Sequence, residues 1–205
     1  FAHDARFVGI NAAAFDAHKH STLPVVGDAR ESLRDLTPLL GSWTGPADWT
    51  DKAARETEAY HAYIDKIAAP AETGLPTYAQ VVGAVDRDAR PTDYALTAAG
   101  GFPGELNNGW RAKGLDSFDC EYGFSCMGYE ISGAWGAKMA MPDREVIVFV
   151  GDGSYLMMNS DLYSSVLSGH KLIVIVCDNG GYAVIHRLQT NQGGAGYNNL
   201  LADTN

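Results

Sequence analysis

The residues most able to do chemistry are Asp152 and Asn179. Each stands just past an apolar run, Glu145-Val-Ile-Val-Phe-Val150 before Gly151-Asp152 and Leu172-Ile-Val-Ile-Val-Cys177 before Asp178-Asn179. Runs of this kind read as strands of a parallel sheet, buried on both faces. Parallel strands joined by a helical crossover end on the same edge of the sheet, where the ligand sites of open α/β folds lie. Asp152 and Asn179, 27 positions apart, are therefore expected to converge. One carboxylate and one amide oxygen make a hard, oxygen-only half-shell that suits Mg²⁺ or Ca²⁺ rather than zinc. Mg²⁺ takes about six oxygens at ~2.0–2.1 Å and draws the remainder from water and phosphate. Gly153 and Ser154 open the next helix, so their N–H groups and the Ser154 hydroxyl can meet an anion at its positive end. A cation and a helix N-terminus on one edge predict a diphosphate site. The tetrapeptide Gly151-Asp-Gly-Ser154 is a common turn by itself; the second oxygen at a matching strand end is what makes it specific.

The elements that must position these groups alternate along the chain. Ala5–Ile10 and Pro24–Val26 read as short strands, with a loop over Ala12–His18 and an amphipathic helix over Asp28–Leu40 that Asp28 caps. These look like the last units of an α/β domain whose earlier part precedes Phe1. Residues 41–50 read as linker and 51–69 as helix, and Pro76 introduces a helix bearing Tyr78, Val81, Val82 and Val85. Tyr94–Ala98 is expected as a strand, Gly100–Gly104 as a loop, Gly128–Met141 and Ser160–Ser168 as helices, and Lys171–Cys177 as a second buried strand. The organisation expected is residues 1–40 closing one domain, 41–74 as linker and helix, and 75–205 as a diphosphate-binding domain. The fold class is α/β, a mostly parallel sheet with helices on both faces, preceded by the end of a second α/β domain.

Composition excludes several functions. A formal net charge of −10 with 15 scattered basic residues argues against a nucleic-acid surface. No stretch approaches the ~18 apolar residues of a membrane span, and no secretory leader opens the chain. Cys120, Cys126 and Cys177 have no metal-ligand spacing and fit reduced thiols in cytoplasm, Cys177 as a small buried hydrophobe.

Gly-Asp-Gly, followed after a helix and a strand by Asn at this distance, resembles the diphosphate-binding motif of thiamine-diphosphate enzymes. That family usually has Asn-Asn where this chain has Asp178-Asn179, and its ligating residue is the second. The resemblance implies Mg²⁺ held by Asp152, Asn179 and the backbone carbonyl of Gly181. Tyr122-Gly-Phe-Ser-Cys-Met127-Gly-Tyr-Glu-Ile-Ser-Gly is similar to the preceding segment in the acetolactate synthase and pyruvate oxidase branch. It implies that Met127 wedges under the cofactor to impose a V shape, with the Ser125 carbonyl accepting from the aminopyrimidine amine. Gly101 and Phe102 of Gly100-Gly-Phe-Pro103, Gly153, Ser154, and the turn Tyr182-Ala183-Val184 are carried over as further cofactor contacts, Ala183 and Val184 through backbone N–H.

Longer stretches, among them Gly9-Ile-Asn-Ala-Ala-Ala-Phe-Asp-Ala-His-Lys-His20 and Ala98-Ala-Gly-Gly-Phe-Pro-Gly-Glu105, are similar to the ring-opening acylhydrolases of inositol catabolism that act on trihydroxycyclohexane-1,2-dione. The resemblance implies hydrolytic C–C cleavage to a deoxy-glucuronate, with the thiazolium serving as electron sink. It also implies a homodimer or homotetramer with the site at a subunit interface, where an activating Glu comes from a domain outside these residues. The 205 residues alone would then hold half a site. His186 and Gln189, in the polar tail, are the candidate substrate contacts. A carboligase or decarboxylase of 2-oxoacids and a non-catalytic metal- or nucleotide-binding module are the alternatives.

Overall fold

In the computed structural model, which describes residues 3–71 and 73–203, the chain divides into two units between Glu56 and Thr57. In the first, strands β1 (Val8–Asn11) and β2 (Leu23–Val26) pair in parallel around a single helical turn, α1 (Ala14–Ala17), and α2 (Ala29–Leu39) follows. The Asp28 carboxylate accepts from the Glu31 backbone N–H at 3.0 Å, the N-cap expected there. The first strand starts three residues later than expected, and the predicted loop over 12–18 contains α1. Helix α3 (Ala47–Ile67) takes in part of the stretch read as linker; it starts straight after Pro46, with Asp48 in its first turn at the positive helix end. It runs across the boundary between the two units.

The second unit continues with α4 (Tyr78–Asp88), β3 (Tyr94–Thr97), α5 (Phe102–Gly109), β4 (Phe118–Cys120), α6 (Tyr129–Ala140), β5 (Val146–Gly151), α7 (Asp152–Leu167), β6 (Ile173–Cys177) and α8 (Ala183–Asn191). Its sheet has the order β4-β3-β5-β6, every pairing parallel. Alternation along β5 feeds two cores. Ile147 and Phe149 pack with Val82, Phe102 and Leu106 of α4 and α5; Val146, Val148 and Val150 pack with Ile131 and Ala134 of α6. Helices thus cover both faces, as the continuous apolar run required.

The structure departs from the sequence reading at several elements. The glycine loop after β3 gives way to α5 by Phe102, since Pro103 suits a first helical turn. The strand β4 was not read at all, because three residues leave too short a pattern. The chain after Tyr182, read as a polar tail, contains α8. The strand read over 171–177 as buried is the edge strand β6 among the described residues, with Ile173 and Val176 exposed; an apolar run does not reveal its place in a sheet. Helix α7 begins at Asp152 but breaks at Met158 (φ −134°), which is why helical periodicity was legible only from Ser160.

Candidate functional site

The register of β5 on β6 sets Gly151 opposite Cys177, so the chain leaves both strands side by side and brings Asp152 to Asn179. The Gly181 N–H donates to Asp152 Oδ2 at 2.7 Å. The Asn179 amide nitrogen donates to the Tyr78 hydroxyl at 2.6 Å. Its other end, Oδ1, then lies 2.7 Å from the Gly181 carbonyl oxygen and 3.3 Å from Asp152 Oδ1. With the amide oxygen on that side, Oδ1 faces two other acceptors with no proton between, an arrangement that a cation would stabilise. Adjacent ligands of an octahedral Mg²⁺ with ~2.05 Å bonds stand about 2.9 Å apart, so the spacing fits such an ion. Reversing the amide would instead let its nitrogen donate to the Gly181 carbonyl, the arrangement favoured when no ion is present. No three His, Cys, Asp or Glu side chains gather among the described residues; the donors here are one carboxylate, one amide and one carbonyl.

The loop carrying these oxygens is tightly held. Asp178 Oδ1 accepts from the Gly180 N–H at 2.9 Å, an Asx turn that Asn or Asp can form, so the departure from Asn-Asn keeps this turn. Residues 199–201 return against the loop, with Tyr182 N–H on Asn199 O (2.6 Å) and Leu201 N–H on Gly180 O (2.7 Å). Gly181 has φ +129°, and a Cβ there would lie 2.5 Å from the Asn199 carbonyl oxygen. Only glycine fits.

Asp152, Asn179 and Gly181 sit in a cleft of about 420 Å³ that Gly101, Ser125, Met127, Gly153, Ser154, Ala183 and Val184 also line. Gly153 and the buried Ser154 form the first turn of α7, and Ala183 and Val184 the first turn of α8, so two helix N-termini open into one space. A Cβ on Gly153 would stand 2.7 Å from the Tyr182 ring and 3.6 Å from the Met127 methyl, so glycine lets both side chains close on the motif. Phe102 does not line the cleft. Its ring is 1% exposed, packed between Tyr78 (centroids 4.7 Å) and Phe149 (5.4 Å), because α5 has already begun and turns it into the core.

Two glutamates that sequence reasoning left without a role shape the opposite wall. Glu121 Oε1 accepts from the Phe124 N–H (2.9 Å) and Oε2 from the Cys126 N–H (2.8 Å), closing the loop that presents Ser125 (φ +54°) and Met127. Those backbone bonds, to Cys126 and then Phe124, hold its carboxyl below the ordinary value. Glu130 is fully buried and spans two segments, accepting from the Ala99 N–H (3.0 Å) and the Gly128 N–H (2.9 Å). A lone acid in the apolar pattern of α6 was the signal for it. Burial pushes the Cys177 thiol up, and burial and then Asp119 do the same to Cys120, so neither is poised as a thiolate nucleophile.

The candidate substrate residues His186 and Gln189 point elsewhere. Gln189 Oε1 accepts from the Asn199 side-chain nitrogen (2.5 Å) and the Tyr197 N–H (3.3 Å). The His186 ring lies on the backbone of Gly196. Positions 183, 184, 185 and 188 of α8 line the cleft, and 186 and 189 do not, being engaged by the returning segment 196–199. Tyr78, Tyr122 and Tyr182 also line the cleft, although the sequence assigns them no contact.

Residues 98–203 match the family described as "Thiamine pyrophosphate enzyme, C-terminal TPP binding domain". Over 94% of its length the chain is 33% identical to a 3D-(3,5/4)-trihydroxycyclohexane-1,2-dione hydrolase of Halalkalibacterium halodurans, covering 34% of that protein. Proteins of the same name from Geobacillus thermodenitrificans (32% identical over 92% of the chain) and Bacillus licheniformis (33% over 95%) are similar, with 33% and 34% of their lengths covered. The chain therefore spans about a third of the curated relatives it matches. No helix among the described residues is long and apolar enough to cross a membrane.

Proposed function

Because this chain belongs to the thiamine pyrophosphate enzymes, whose C-terminal cofactor-binding domain it carries, we propose that its cleft holds thiamine diphosphate through Mg²⁺ and serves the hydrolytic ring opening of a trihydroxycyclohexane-1,2-dione. The observation that carries the metal half is the convergence of the Asp152 carboxylate, the Asn179 amide and the Gly181 carbonyl, the inward end of the amide standing 2.7 Å from the Gly181 carbonyl oxygen and 3.3 Å from Asp152 Oδ1. The substrate half is supported by the printed names of relatives 32–33% identical over more than nine-tenths of the chain.

Each residue has a task in this reading. Asp152, Asn179 and Gly181 supply three oxygens to the ion, and diphosphate and water complete its shell. The N–H groups and hydroxyl of the Gly153-Ser154 turn, with those at the start of α8, neutralise the remaining phosphate charge. Met127 stands beside Gly153 as an apolar support that sets the bend of the bound cofactor. The Ser125 carbonyl, in a loop that Glu121 holds closed, accepts from the aminopyrimidine amine. When bound, thiamine diphosphate would supply a nucleophilic carbon and an electron sink for C–C cleavage, and the protein would position it. The proposal includes a cytoplasmic homo-oligomer with the cleft at a subunit boundary. Its support is the apolar rim, where Tyr122, Ile185 and Leu188 are exposed.

The test is calorimetric titration of the intact protein with thiamine diphosphate, with and without Mg²⁺, for wild type and Asp152→Ala. Metal-dependent binding that Asp152→Ala abolishes is expected; binding indifferent to that substitution would falsify the assignment. Turnover of the cyclic dione against pyruvate separates the hydrolase from a 2-oxoacid carboligase or decarboxylase.

A further inference from the structure

An amide side chain is nearly symmetrical in shape but not in charge, so something must decide which end of Asn179 faces the ion. Inside the site there are only acceptors, the Gly181 carbonyl at 2.7 Å and Asp152 Oδ1 at 3.3 Å, and these alone would attract the amide nitrogen and leave the ion one oxygen short. Outside the site the amide has one partner, the Tyr78 hydroxyl at 2.6 Å. A hydroxyl accepts as well as donates, so it can take the N–H and leave the oxygen turned inward.

The tyrosine is held where this task requires. Tyr78 is the first residue of α4, whose start is set by reciprocal bonds between Thr77 and Gln80: Gln80 N–H on Thr77 Oγ1 (3.3 Å) and Thr77 N–H on Gln80 Oε1 (2.9 Å). Its ring lies on Gly101, where a Cβ would approach Cε2 to 2.4 Å, and tilts against the buried Phe102 with centroids 4.7 Å apart. The hydroxyl therefore comes from the core side on a ring with little freedom to move.

We propose that Tyr78 is a positioning residue for the cation site, its hydroxyl oxygen accepting from Asn179 Nδ2 so that Oδ1 faces the ion. This rests on the Mg²⁺ assignment of the preceding section. Outer partners that orient ligands typically contribute about 10–100-fold in metal affinity.

The experiment is a Mg²⁺ titration of the intact protein at fixed thiamine diphosphate, read by calorimetry and by the near-ultraviolet signal of bound cofactor. Tyr78→Phe keeps the ring on Gly101 and Phe102 and removes only the hydroxyl. Its apparent Mg²⁺ affinity is expected to fall roughly tenfold, the lower end of that range. Asn179→Asp presents oxygen at both ends and needs no orienting, so adding Tyr78→Phe to it is expected to change affinity less than about twofold, well short of that range. Unchanged affinity in Tyr78→Phe overturns the proposal, and so does an equal loss in both backgrounds, because the hydroxyl would then act through packing. Mg²⁺ binding untouched by Asp152→Ala removes the ion assignment and this inference together. Loss in Asp152→Ala without loss in Tyr78→Phe removes only the inference.

Discussion

Asp152 and Glu121 are acids of the same kind in the same kind of place, each just past the C-terminal end of a parallel strand, yet their hydrogen bonding is opposite. Both Glu121 oxygens receive backbone N–H groups, from Phe124 and Cys126, so its charge is spent on holding a loop. Asp152 receives one, from Gly181, and turns its second oxygen toward the inward end of the Asn179 amide, 3.3 Å away. A satisfied carboxylate is architecture; one facing oxygens is arranged for a cation. Glu130, with a donor on each oxygen, falls on the architectural side although it is fully buried within the same wall.

The sharpest way to break this contrast is to neutralise each acid without changing its shape. Asp152→Asn should cost more than ~100-fold in Mg²⁺-dependent cofactor binding, beyond the ~10–100-fold of outer partners, while thermal stability hardly moves. Glu121→Gln should keep the Mg²⁺ dependence and lose less than tenfold; parallel calorimetric titrations decide, and similar losses would erase the distinction. Glu130→Ala leaves the buried Ala99 and Gly128 N–H groups unpaired and should cost roughly 3 kcal/mol or more of stability in urea denaturation, given ~1–3 kcal/mol for each orphaned donor. Gly181→Ala combines a strained positive φ with a clash at the Asn199 carbonyl and should cost about 2–3 kcal/mol together with metal-dependent binding.

The smallest effect expected is one of pH. The native Glu121 carboxyl titrates below its ordinary value of 4.5. Its contribution to loop order is therefore complete above that value and is lost as pH falls through the lower native one. Acid titration of the cleft's intrinsic fluorescence should show a step across that window in wild type and a flatter limb in Glu121→Gln. A step that persists in the variant would assign it to another group.

Much of the site was legible because it follows from strand ends. The crossover from Glu145 to Cys177 required parallel neighbours, and parallel neighbours deliver Asp152 and Asn179 to one edge. The cofactor contacts at Ser125, Met127, Gly153 and Ser154 came by resemblance, and the fold brings all four into the cleft. What failed depended on which side of a helix a residue presents. Phe102 entered with the glycine loop, but α5 had already turned it inward. His186 and Gln189 drew notice as polar residues after the motif, yet the apolar positions Val184, Ile185 and Leu188 of α8 line the cleft. Recognising a helix from Ala183 does not by itself separate the two sets, since Gln189 stands four residues from Ile185; the returning segment that Gln189 and His186 contact does.

The order of apolar runs and the types of residue at their ends determined the parallel sheet, the edge that carries the proposed site and the hard-oxygen character of its donors, because these depend only on local periodicity and chain direction. Whether an oxygen at that edge is satisfied or left facing other oxygens was decided by the tertiary structure. That balance is set by atoms far apart in the chain, Tyr78 against Asn179 across 101 positions and Gly181 against Asp152 across 29, which no local pattern encodes.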